Sequence, residues 1–338
     1  MRVLVVNAGS TSLKLALVGG DGSAQSVASL AELPPAVDAV GHRVVHGGMR
    51  FREAALVDGE VVAELERLVE LAPLHNAPAL AALADARRAL PEVPHVAVFD
   101  TAFHATLPEE AFTYALPLRL RDELGIRRYG FHGLSVQWAA EQVPARRLVV
   151  CHLGGGCSVT AVLDGRSADT SMGFTPLDGV PMATRPGALD PGILVHLLRA
   201  GWSVDELDRL VERESGLAGV SGLSGDVLEL ERAGTPEARL ALTLLGRGVA
   251  KWVAGAAAVL DGLDALVFTG GIGEHSAAVR AAVCGRLRVL GLELDERANA
   301  AAEPDADVHA ASSRVRVAVV RAREELVIAR AVRAALAG

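Results

Sequence analysis

The feature that most restricts this sequence is a plan that occurs twice. Val3–Val6 is a short β-branched run, residues 7–12 (Asn-Ala-Gly-Ser-Thr-Ser) read as a small polar turn, and Leu13–Val18 returns as a strand. A second turn at 19–22 then leads to a third short strand expected over 26–30. Near the middle of the chain, Leu148–His152 is again an apolar run, and residues 153–157 (Leu-Gly-Gly-Gly-Cys) are a glycine turn. Ser158–Leu163 returns, and Asp164-Gly165 turns into Arg166–Thr170. Each half later supplies a strand ending in small or polar residues, Val96–Phe99 and Leu266–Phe268. The period is too long for a solenoid. It implies two α/β domains related by duplication, with mixed sheets covered by helices and each opening turn aimed at a shared cleft. Residues 39–48 read as a buried strand ending in glycines and 315–320 as the last strand. Helical spacing is expected over 61–71, 77–90, 191–200, 204–213, 226–233, 236–260, 276–290 and 324–336.

Composition narrows the class. A chain of 338 residues with 51% hydrophobic residues can fill two cores. A net charge of -8 argues against nucleic acid as a partner. No run approaches the roughly 18 uninterrupted apolar residues of a membrane span. The N-terminal apolar run ends at Asn7, which makes a poor signal peptide. Cys151, Cys157 and Cys284 are odd in number and form no CxxC pair, which fits a reduced cytoplasm.

Several motifs carry chemistry. Asn7 to Lys14 offers unhindered backbone donors, the hydroxyls of Ser10 and Ser12, and the Lys14 ammonium to phosphate oxygens. The chain has no Gly-Lys-Ser/Thr, so a Walker loop is excluded. The turn of His152, Leu153, Gly154, Gly155 and Gly156 follows a buried strand and exposes further backbone donors. In the segment Gly271-Ile272-Gly273-Glu274-His275 the third glycine of a dinucleotide fingerprint is missing, since Ser276 stands there. Arg43 and Val45 share one face of a strand, a cation beside an apolar contact that suits a small carboxylate. Asp100 ends a strand, His132 sits between Phe131 and Gly133 before a helical stretch, Arg185 lies in a Pro/Gly-rich loop, and Glu324 opens the last helix. Singly, each admits a plain structural reading: a hairpin turn, an ion pair, a helix cap. Together they are the inventory of phosphoryl transfer, with donors for phosphates, cations for transition-state charge and acids for Mg²⁺.

Seven ordered segments spanning nearly the whole chain resemble the acetate kinases of the acetate and sugar kinase, Hsc70 and actin superfamily. They are residues 7–14, 41–48, 72–76, 99–104, 129–133, 169–177 and 268–274. The resemblance implies two duplicated ribonuclease H-like (actin-like ATPase) domains with an inter-domain cleft. Residues 1–102 plus 325–338 would form the first domain and 103–324 the second, larger one. It implies reversible, direct in-line transfer of the ATP γ-phosphoryl group to acetate. Asn7 and Glu324 would help hold Mg²⁺ (or Mn²⁺). Arg43, Asp100, His132 and Arg185 would surround the carboxylate and the transferring phosphoryl, and Val45, Leu74, Phe131 and Pro176 would enclose the methyl group. Ser10, Ser12, Lys14, the turn 152–156, Asp226, Val227, Leu228 and the segment 271–275 would contact the nucleotide.

The chain departs from the family pattern at Gly155, Leu228 and His275, where Asn, Arg and Asn are usual, and at Ala188 and Ala322-Arg323. It is also shorter, with the loss expected between Val18 and Gly41. A cytoplasmic homodimer is implied. The alternatives are a propionate or other short-chain carboxylate kinase of the same family, a sugar or polyol kinase of the same superfamily, and a non-catalytic actin-like nucleotide-binding protein.

Overall fold

The computed structural model describes residues 1–8, 13–33, 36–71 and 73–337. The first sheet contains β1 (Val3–Ala8), β2 (Leu13–Val18), β3 (Ala24–Val27), β4 (Ala39–Val44), β5 (Ala55–Leu56) and β6 (His95–Phe99), in the order β3-β2-β1-β4-β6-β5. The second contains β7 (Arg147–Leu153), β8 (Cys157–Leu163), β9 (Arg166–Thr170), β10 (Ala265–Thr269), β11 (Ala306–Asp307) and β12 (Arg316–Val319), in the order β11-β12-β10-β7-β8-β9. The two orders are the same plan. Each begins with an antiparallel three-strand meander, β1-β2-β3 or β7-β8-β9. Two strands then add parallel to its first strand, β4 and β6 or β10 and β12, and a two-residue antiparallel edge closes each sheet. The duplicated α/β architecture expected from the sequence is therefore present. β1 and β7 read as nearly continuous apolar runs because parallel neighbours and helices bury both their faces.

Around the first sheet lie α1 (Gly59–Arg67) and α2 (Pro73–Ala89); α3 (Glu109–Phe112), α4 (Leu118–Leu124) and α5 (Gly133–Gln142) lead to the second sheet. There follow α6 (Pro191–Arg199), α7 (Val204–Arg213), α8 (Gly216–Ser221), α9 (Val227–Ala233) and α10 (Pro236–Val259). The last helices are α11 (Gly270–His275), α12 (Ala277–Cys284), α13 (Glu296–Ala300) and α14 (Glu324–Ala337).

The C-terminal helix returns to the first sheet. Val327, Ile328 and Val332 of α14 bury against Val3, Val5, Val96 and Val98, each worth about 1.5–3 kcal/mol of burial. Gly41 makes this approach possible, since a Cβ there would lie 2.7 Å from both Ile328 and Val332. The 24-residue α10 is long and apolar enough, by length and composition, to cross a membrane. Its residues Ala238, Ala241, Leu245, Val249 and Val253 recur at helical spacing and are buried in the core of the second sheet.

Three local expectations are corrected. The third strand lies at Ala24–Val27, earlier than 26–30, and Leu30–Glu32 is a 3₁₀ turn. The helix expected over 276–290 stops at Cys284, with a separate 3₁₀ turn at Arg288–Leu290. The glycine segment 270–275, where no helix is expected from the sequence, is helical once past Gly270, whose φ of +77° makes the corner after β10.

Candidate active site

The C-terminal ends of the parallel strands of both sheets face one cavity of about 490 Å³, the usual position for a site in an α/β fold. The first sheet supplies Asn7 at the end of β1, Arg43 near the end of β4 and Asp100 directly after β6. Arg43 is the hub. Its Nε donates to Asp100 Oδ1 at 3.1 Å and its Nη2 to Asp100 Oδ2 at 2.6 Å, a bidentate pair. Its Nη1 donates to Asn7 Oδ1 at 3.0 Å, and its Nε lies 3.7 Å from Glu324 Oε2. Asn7 Nδ2 in turn donates to Glu324 Oε2 at 3.0 Å, which ties the start of α14 to the first strand.

One cation thus lies between the buried Asp100 carboxylate and the partly buried Glu324 carboxylate. Burial pulls the Arg43 guanidinium down, yet Asp100 and Glu324 together hold it above its ordinary value. Burial raises the Asp100 carboxyl against the pull of Arg43. Burial would raise Glu324 as well, but Arg43, His152 and the Asn7 hydrogen bond hold it below the usual range.

The second domain supplies two stacked imidazoles. The His132 and His152 rings have centroids 4.1 Å apart at 30°. A hydroxyl fixes each: Ser158 Oγ lies 3.0 Å from His132 Nδ1, and Ser135 Oγ lies 2.8 Å from His152 Nδ1. Burial lowers His152 to about 4, so it is neutral at physiological pH. His132 caps α5 with a φ of +59°, and the following Gly133 N–H donates to the Asp100 carbonyl at 3.1 Å. Any Cβ on Gly133 would collide with that carbonyl, so the two catalytic candidates are locked together through the backbone. Arg185 enters from the loop before α6. Its Nη1 donates to the Pro176 carbonyl at 3.1 Å, and its Nε lies 3.5 Å from Glu212 Oε2. Burial lowers the Arg185 guanidinium, with Glu212 opposing.

Val45, Phe131 and Pro176 form an apolar corner of the same cavity. The wall behind it is stiff: His46 packs edge-on against Phe131 at 5.4 Å and Tyr129 at 4.4 Å, and its Nδ1 accepts from the Gly48 N–H at 2.9 Å. Lys14, Gly156, Gly271 and Glu274 line the cavity on the other side. Gly271 also borders a second cavity of about 530 Å³, where Gly154, Gly155, Asp226, Val227, Leu228, Ile272 and His275 meet.

The expected site residues therefore gather in two adjoining cavities, with two corrections. Leu153 and Gly273 line neither, because Leu153 is packed in the core of the second sheet and Gly273 is buried against Phe268. Ser10 and Ser12 lie outside the described residues, as does the side chain of Leu74. Sequence reasoning missed Gly270, Ala322 and Glu325 in the first cavity and Ala183, Gly225 and Ser276 in the second. It also missed the partners Ser135, Ser158 and Glu212. Gly270 lies within a recognised motif and Glu325 adjoins Glu324, so both were within reach, whereas the serines and Glu212 join the site only through tertiary contacts.

Known proteins resemble this chain over most of its length. The model of a family described as the acetokinase family matches residues 24–330. An acetate kinase from Synechococcus sp. (strain JA-2-3B'a(2-13)) is 47% identical over 325 residues, covering 93% of this chain and 80% of that protein. A propionate kinase from Citrobacter rodentium is 48% identical over 334 residues, covering 95% and 80%. Among solved structures, the acetate kinase of Porphyromonas gingivalis superposes with a TM-score of 0.86 at 33% identity, over 99% of this chain and 100% of that one. The fold is thus that of the two-domain, actin-like acetate and propionate kinases.

Proposed function

The chain belongs to the acetokinase family and is a kinase with a carboxylate acceptor, and from that premise we propose that it transfers the γ-phosphoryl group of ATP reversibly to acetate, giving acetyl phosphate and ADP. The observation that carries this reading is the meeting of Arg43, Arg185 and His132 beside the apolar corner of Val45, Phe131 and Pro176. A carboxylate is already anionic at neutral pH, so an acetate oxygen attacks the γ-phosphorus without a general base while the bond to the ADP oxygen breaks in line. The difficulty is bringing one anion to another. Arg43 and Arg185 offset that repulsion and orient the carboxylate, and His132 stabilises the charge that builds on the equatorial oxygens. Asp100, bidentate to Arg43, orients the cation and accepts no proton.

The nucleotide base occupies the second cavity and the phosphates reach past Gly271 to Lys14 and the 154–156 turn. Among the described residues no group of three or more His, Cys, Asp or Glu could cage a metal. The hard oxygens of Asn7 and Glu324 instead suit Mg²⁺, which takes one or two carboxylates and completes its shell with waters and phosphates. When bound, Mg²⁺ supplies positive charge that offsets the phosphates. The cleft closes between a domain of residues 1–102 with 325–338 and one of residues 103–324.

The relatives include both acetate and propionate kinases, so propionate is the second reading. The two are separated by measuring ADP release with acetate, propionate, butyrate and glycerol, with and without Mg²⁺. Acetate is expected to be preferred by kcat/KM, and glycerol to give no turnover. Val45→Ala enlarges the corner and is expected to shift the acetate-to-propionate ratio toward propionate by about tenfold, the worth of roughly one methylene. A ratio that does not move removes Val45 from the pocket.

The protein acts as a cytoplasmic homodimer. Its three cysteines are free and buried. Helix α6 supports the dimer, because none of its residues is buried although Ile193, Val195 and Leu198 are apolar and Trp202 follows them at the surface. Exposed apolar side chains gathered on an unburied helix are what an interface covers. Light scattering is expected to give twice the 35.1 kDa chain mass for the protein and the single-chain mass for Ile193→Asp/Leu198→Asp. A monomeric parent protein overturns the assignment.

A further inference from the structure

We propose that Glu274 is a positioning residue, whose carboxylate fastens the segment carrying Glu324 to the phosphate-facing turn at the head of α11. The proposal rests on the functional reading above and goes beyond it, since it changes Glu274 from an expected nucleotide contact into a strap. Glu274 is 8% exposed and lines the cleft. One oxygen, Oε1, accepts two backbone N–H groups: Gly270 at 3.1 Å and Ala322 at 3.0 Å. Gly270 opens α11, and Ala322 stands two residues before Glu324, the acid that meets Asn7 and Arg43. Hydrogen bonds to a carboxylate are about twice as strong as those between neutral groups, so one side chain clamps both backbones.

The two ends of the strap are not equally free. The α11 end is anchored independently: Arg280 is 1% exposed and its Nη1 donates to the carbonyls of Gly273 and Glu274, both at 2.9 Å. The other end is a loop between β12 and α14. Its other ties run from Val320 N to the Phe268 carbonyl at 2.9 Å, from Arg321 N to Asp305 at 2.7 Å, and from Arg323 to Asp305 at 3.1 Å and over the Trp138 ring at 5.6 Å. These flank Ala322 without holding its amide. Loss of the Glu274 carboxylate therefore releases the Ala322 amide and the approach to Glu324, while α11 keeps its place.

The test separates a strap from a nucleotide ligand. Glu274→Ala is expected to weaken Mn²⁺ binding to the enzyme–ADP complex at least tenfold, read by electron paramagnetic resonance. It should raise the Mg²⁺ concentration for half-maximal rate in parallel. Metal-free ADP affinity, read by calorimetry, is expected to stay within threefold and the acetate KM within twofold. Glu274→Gln keeps an acceptor oxygen in place and is expected to restore Mn²⁺ binding to within threefold of the parent. If the alanine variant fails to fold, Glu274→Asp carries the same measurement, because the shorter acid cannot span both amides. Loss of metal-free ADP affinity, or unchanged Mn²⁺ binding, overturns the proposal. An unaltered protein that turns over no carboxylate overturns the functional reading instead, and the two binding measurements still judge the strap.

Discussion

Arg43→Ala is expected to lower kcat/KM for the carboxylate by about 10³–10⁵, or roughly 4–7 kcal/mol of transition-state stabilisation, and Arg185→Ala by the same order. Both guanidinium groups reach the cavity where the proposed reaction brings two anions together. A cation aimed at charge that develops in a site shielded from water acts far more strongly than one in solution. A loss of tenfold or less in both variants would remove these residues from the reaction.

The two variants are expected to differ in folding. Arg43 is the cation paired with Asp100, whose side chain is fully buried. Removing it strands a buried carboxylate, which typically costs about 3–5 kcal/mol. Arg185 leaves behind Glu212, which burial already raises toward its neutral form, so its loss is milder. Arg43→Ala should therefore unfold at lower urea than Arg185→Ala. Adding Asp100→Asn to Arg43→Ala should recover stability and leave activity lost. If the double variant regains activity with stability, Arg43 serves folding and not transfer.

That expected division of labour was not legible in the sequence, although most of the candidate site was. The duplicated plan was visible because each opening hairpin is a β-branched run, a turn of small residues and a return, a pattern set by local steric preference. Arg43 and Val45 were found by their period-two spacing, yet nothing local reveals that Asp100, 57 residues away, grips Arg43 with both oxygens. Asp100 read equally well as a helix cap. The serines behind His132 and His152 were invisible for the same reason, since a hydroxyl 26 or 17 residues distant becomes a partner only after the sheet forms. Edge strands β5 and β11 have two residues each, too few for alternation to register. Helix α11 was hidden by glycine, whose low propensity is overridden once Arg280 holds the carbonyls of its last turn.

The second large effect is acid lability of the fold. Burial lowers His42 to about 3 and His46, His104 and His152 to about 4, and it lowers His95 as well. These residues sit in separate places: His42 stacks on His95 within the first sheet, His46 backs the apolar corner, and His104 links Ser167 to the Phe131 carbonyl. Well above pH 6.5 they are neutral in both the folded and unfolded chain and contribute almost nothing to pH dependence. Below it the unfolded histidines take up protons that the folded ones refuse, so the unfolded state gains and stability falls until the pH reaches the folded values near 4. At pH 5 each such group costs on the order of 2 kcal/mol, so several together are a large part of the 5–15 kcal/mol of an ordinary fold. Urea unfolding is expected to show stability level from pH 8 to 7, falling steeply between 6 and 5, with acid unfolding complete near pH 4. His104→Gln keeps a neutral hydrogen-bonding side chain that cannot charge, so its stability should fall less steeply over the same range, by the share of one proton. Stability that stays level between pH 7 and 5 would mean that these imidazoles find solvent or an acid partner when charged.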